Sequence, residues 1–72
     1  MSGHLSELEE KVLRKLQQED QRNYNQMHDL RQWVIEERLD EWQVRIAVES
    51  LHRQHLVVGV ALVGLTDRGR AY

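Results

Sequence analysis

Seventy-two residues, with ten Lys and Arg against twelve Asp and Glu and a formal net charge of -2, read as a single domain over 1–72 without the basic surplus of a dedicated nucleic-acid binder. A chain this short buries only about 60% of the surface its unfolded state exposes, so its core must be compact and continuous. The absence of cysteine excludes a disulfide staple and a thiolate metal site and suits a reducing cytoplasm. The longest apolar run, Leu56 to Leu65, falls well short of the about 20 residues that span a bilayer.

The chain opens Met1-Ser2-Gly3-His4, without the basic segment and apolar run of a secretory signal, and a cytoplasmic protein with no membrane attachment is expected. Ser6-Glu7-Leu8-Glu9 is a capping box and starts the first helix. Glu7, Glu9 and Glu10 crowd its first turn, where the helix dipole favours negative charge. Glu7 with Lys11 and Glu10 with Arg14 are i,i+4 pairs in the better orientation. Leu5, Leu8, Val12 and Leu16, with Leu13 beside them, form its apolar stripe, and the polar run Gln17 to Asn25 ends it.

A second helix is predicted to start near Asn23 or Asn25, both good N-caps. It carries Met27, Leu30 and Val34 on one face with Trp33 flanking, leaves Ile35 unexplained, and fades at Glu37-Arg38. A third helix follows almost at once, with Asp40 as N-cap. Val44, Ala47, Val48 and Leu51 make its inner face; Trp42, Ile46, Glu49 and Arg53 make the opposite one.

Valines dominate Leu56 to Leu65 and favour strands, because the branched Cβ is stiff. Gly59 suits a tight hairpin turn, and Thr66 or Asp67 caps a last helical turn containing Arg68-Gly69-Arg70. The fold class is therefore mainly α with a small β-hairpin. Leu8, Val12, Leu16, Leu30, Val34, Val44, Val48, Leu51, Leu56 and Leu65 are the expected core.

Little in the chain assembles into catalysis. His52 and His55 are spaced i,i+3, which suits a shared metal, but no third ligand lies nearby and surface histidines are the simpler reading. Glu36, Glu37, Asp40 and Glu41 cluster at a turn, where solvation and helix capping account for them. There is no Gly-rich phosphate loop and no nucleophile with its base, so neither an enzyme nor a cofactor is expected.

The order helix, helix, tight turn, helix, hairpin resembles the winged helix-turn-helix superfamily, and MarR-type bacterial regulators in particular, over roughly Met27 to Tyr72. Val44, Val48 and Leu51 running into Leu56-Val57 match a recognition helix entering a wing strand, and Leu65-Thr66-Asp67-Arg68-Gly69-Arg70 matches the phrase that closes such a wing. The resemblance implies a winged helix-turn-helix of three helices plus a short wing. It also implies double-stranded DNA as partner and a dimeric prokaryotic or phage transcriptional regulator. Arg31, Arg38, Arg45 and Arg53 are then the phosphate contacts, since a planar guanidinium donates two bonds at once, and Gln43 and Arg45 face base edges.

Three departures stand against that. His55 and Arg38 occupy positions where the family often has glycine, and no Lys or Arg lies between Arg53 and Arg68, so the wing has no basic tip. Trp42 and Ile46, one turn apart on the face that would meet DNA, suit a protein partner or a homodimer, unless Trp42 folds back onto the second helix or the hairpin as part of the core. A contiguous positive face over the third helix favours DNA; a neutral face with a bare Trp42 favours protein.

Overall fold

A computed structural model describes residues 5–72; the reading of Met1 to His4 lies outside them. Along the chain run α1 (Glu7–Arg22), α2 (Arg31–Glu36), α3 (Glu41–Arg53), β1 (Val57–Gly59), β2 (Val63–Leu65) and α4 (Asp67–Ala71). The architecture is mainly helical with one two-stranded antiparallel hairpin, in which Val57 faces Leu65 and Gly59 faces Val63. Among the described residues no helix is long and apolar enough to cross a membrane.

Both arms of the capping box form in α1: the Ser6 amide donates to Glu9 Oε1 at 2.7 Å, and the Glu9 amide to Ser6 Oγ at 3.1 Å. The Ser50 hydroxyl, then the Ser6 amide, holds the Glu9 carboxyl below its ordinary pKa.

Neither Asn23 nor Asn25 begins α2. The Asn23 amide closes α1 on the Glu19 carbonyl at 2.9 Å, and Asn25 takes a left-handed conformation with φ 61°. The backbone of His28 then exchanges two hydrogen bonds with Val63, at 2.7 and 2.8 Å, adding a third antiparallel partner to the outer edge of β2. That pairing uses the groups a helix would have needed, so α2 waits until Arg31, whose amide donates to Asp29 Oδ1 at 2.9 Å. Met27 leaves the expected helical face and lies half-exposed across the hairpin, against Gly59 and Gly64.

The helix ends on either side of α3 share one device. After α2, Leu39 N–H reaches the Val34 carbonyl (2.9 Å) and Arg38 N–H the Ile35 carbonyl (3.1 Å). After α3, Leu56 N–H reaches the Leu51 carbonyl and His55 N–H the His52 carbonyl, both at 3.0 Å. Each is a Schellman motif, whose left-handed residue is usually glycine. Here Arg38 (φ 55°) and His55 (φ 62°) take that place, each followed by a leucine turned inward.

One core results, built from Val12, Leu13, Leu16, Leu30, Val34, Val44, Ala47, Leu51, Leu56, Val57, Val63 and Leu65. Leu8 and Val48, expected inside, are half-buried at its edge. Gly59 ends β1 with φ 98° and leads into the hairpin turn at residues 60–62. Thr66 caps α4 by accepting the Gly69 amide at 3.0 Å, while its hydroxyl donates to the His55 carbonyl at 2.6 Å. Gly69 has to be glycine because the Leu56 carbonyl occupies the space a Cβ would fill.

Arg70 fastens α4 to the end of α1. Its Nε donates to Asp20 Oδ2 at 2.9 Å, its two terminal nitrogens to Asp67 Oδ1 (2.9 Å) and Asn25 Oδ1 (3.0 Å), and its guanidinium lies 4.5 Å from the Tyr24 ring centre. Asp20, itself buried, accepts the Asn25 amide on its other oxygen at 3.0 Å.

Replacing His55 with glycine should raise stability by roughly 0.5–1 kcal/mol, since the left-handed cost of an L-residue exceeds the entropy glycine adds. Urea unfolding of the two chains measures this. The Arg70 contact, then the Asn25 amide, lowers the Asp20 pKa below its ordinary value of 3.8. The pair therefore contributes fully above that value, and the contribution is lost as pH falls through the depressed folded value. Between about pH 5 and pH 2 the urea midpoint of the wild type should fall more steeply than that of Asp20→Asn, which has no such proton to take up.

Candidate protein-contact face

The Asp40 carboxylate starts α3 by accepting the Trp42 and Gln43 amides at 2.8 and 3.2 Å. With Val44, Ala47 and Leu51 turned into the core, helical periodicity leaves Trp42, Arg45, Ile46, Glu49 and Arg53 outside. Trp42 is 63% exposed and Ile46 43%, so neither folds back into the core. Arg45 lies 6.0 Å from the Trp42 ring centre, a loose contact on the crest of the helix.

Beside that crest runs a groove of about 1070 Å³. Leu30, Val34, Val44 and Val48 contribute apolar lining, α3 forms one side, and the hairpin tip from Gly59 to Val63 the other. The tip carries no charge, and Val60 is 92% exposed there, with Leu62 also outside. Ile35, which helical spacing left unexplained, is an exposed apolar residue of the same lining.

The charges around the groove cancel: Asp29, Glu41 and Glu49 stand against Arg31, Arg45 and Arg53. Arg31 pairs with Asp29, with Nε 3.2 and 3.1 Å from its two oxygens and a terminal nitrogen at 2.8 Å, while its side chain stays largely exposed. Arg38 is exposed, and its backbone supplies the left-handed residue of the α2–α3 turn. Gln43, Arg45 and Arg53 are exposed on α3, and Arg53 lies in the field of Glu9. The structure thus gathers Trp42, Arg45, Ile46 and Arg53 on one face, with Gln43 on the same helix. Arg38 stands apart in the turn.

Helical spacing places Glu49 on this face, while Glu41 reads as part of the acidic turn cluster. Their signal was in the chain, as an alternation of sign at four-residue spacing: Glu41, Arg45, Glu49, Arg53. Among the described residues no group of three or more His, Cys, Asp or Glu is placed to hold a metal.

Trp42→Ala should change unfolding stability by less than about 1 kcal/mol, because the ring is exposed and its cation contact is loose. A loss of several kcal/mol in urea titration would return Trp42 to the core. No protein-family model matches this chain, and neither curated proteins nor solved structures offer a match.

Proposed function

We propose that this chain is a protein-contact module of winged-helix arrangement, which docks a partner protein on the outer face of α3 and the uncharged hairpin. One observation carries the reading: a bare Trp42 sits on a helix whose exposed charges cancel, beside a hairpin with no cation at its tip. Aromatic and aliphatic groups ringed by balanced charge suit a protein surface, where the anchors bury area and the rim sets register. A phosphate backbone rewards an excess of positive charge, and this face has none.

A second reading, double-stranded DNA as the ligand of a small prokaryotic or phage regulator, is favoured by the exposure of Gln43, Arg45 and Arg53 on one helix. Neither arginine is in an ion pair within the chain among the described residues. In that reading α3 enters the major groove, with Gln43 and Arg45 at base edges.

Two measurements separate these. Titration of random duplex DNA at rising salt should show no binding with the steep salt dependence of counterion release; such binding, weakened by Arg53→Ala, would favour DNA. A photo-crosslinking residue at position 46, introduced in the native cell, should give a discrete protein adduct. An adduct to nucleic acid, or none, would overturn the protein-contact reading.

A further inference from the structure

Glu41, Arg45, Glu49 and Arg53 lie along one row of α3, each four residues from the next, and all four are exposed. None makes an ion pair within the chain among the described residues. The order of sign along the row is minus, plus, minus, plus. Read from the other end it is plus, minus, plus, minus, so reversing the row inverts every charge.

We infer that the occupant of this face is a second copy of the same chain, docked with its α3 antiparallel across a two-fold axis near Ala47. This rests on the protein-contact reading above and names its partner. In that register Glu41 faces Arg53 of the second copy, Arg45 faces Glu49, and the two-fold repeats both pairings. A parallel, in-register arrangement sets every charge against its like. The charge row therefore specifies a direction as well as a partner, which is what rim charges do best. A two-fold interface must be self-complementary, and a sign-inverting row is self-complementary by construction.

The apolar groups lie where this arrangement needs them. Ile46 is next to the axis, so the two copies of Ile46 approach each other, while the two Trp42 rings sit toward opposite ends of the contact. Both are exposed in the single chain and become buried in the pair. The absence of charge from the hairpin tip spares that neighbouring wall of the groove any like-charge repulsion between copies.

A charge-swap experiment tests this with substitutions confined to solvent-exposed positions. Sedimentation equilibrium is run on the wild type, on Arg45→Glu, on Glu49→Arg, and on the chain carrying both. The wild type should dimerise. Each single change sets like charges against each other at two symmetry-related places and should weaken the dimer by about tenfold or more. The double change exchanges the two signs, so that opposite charges face each other again at both places. It should return the dissociation constant to near the wild-type value. Equal thermal midpoints for the monomers would exclude unfolding as the cause.

A double variant as weak as the singles overturns the antiparallel register. A wild type that remains monomeric while position 46 crosslinks to a different protein overturns the second copy and leaves the docking reading intact. A monomer with no protein adduct at position 46 overturns both.

Discussion

Two stretches of the chain, 45 to 50 positions apart, meet at Arg70. Its guanidinium joins the last turn of α1 through Asp20, the loop after it through Asn25 and Tyr24, and its own helix through Asp67. Removing a charge pair from water is costly unless the remaining donors and acceptors are also satisfied. Here they are: Asp20 uses its second oxygen on the Asn25 amide, and Arg70 divides its nitrogens among three acceptors. The contact fixes α4 against α1, where Gln17 adds a bond to the Gly69 carbonyl at 2.8 Å. With α4 in place, Thr66 holds the His55 carbonyl, and the hairpin is bracketed at its base. The position of the groove wall follows from that chain of contacts.

The same bracketing explains why α3 stands proud of the molecule. Two glycine-free Schellman turns, at Arg38 and His55, deliver Leu39 and Leu56 toward the core immediately outside the two ends of α3. The helix is thereby anchored along Val44, Ala47 and Leu51 and flanked by leucines at either end, while its opposite face is exposed along its length. Short α2, only six residues long, leaves Ile35 uncovered on the same side. The exposed apolar groups are thus a by-product of how α3 is held as well as of what its sequence contains.

Much of this was legible locally. The capping box of Ser6 and Glu9, the Asp40 cap and the Thr66 cap depend on residues within three or four positions of one another, and each appears as read, whereas Gly59 ends its strand just before the turn at residues 60–62. The start of α2 was misread because Asn23 and Asn25 are good caps in isolation, whereas the backbone of His28 is claimed by Val63, far along the chain. The helix ends at Arg38 and His55 carried no glycine, but both positions could be named, Arg38 from the fading helical pattern and each from the family resemblance, and both residues take the left-handed conformation. Asp20 with Arg70 lay beyond any periodicity, since the two are 50 positions apart. Leu8 and Val48 share helical faces with core residues but sit at the margins of those faces, a distinction that spacing alone does not draw. Of the candidate face, Trp42 and Ile46 could be named from helical periodicity, and so could Arg45 and Arg53. Arg31 was named without its neighbour Asp29, with which it forms an exposed ion pair.

The hairpin has another side. From Leu56 to Leu65 the chain holds ten residues with no charge and no proline, and between the two end leucines five of the eight are valine or leucine. Extended and unpaired, such a segment is the kind that stacks into cross-β ribbons. In the fold its strands are three residues long, joined through residues 60–62 after a left-handed Gly59, with β2 enclosed between β1 and His28. Native structure therefore acts as the gatekeeper that charged residues supply elsewhere. Resistance to aggregation over time is set less by the surface composition of this protein than by how seldom that hairpin opens.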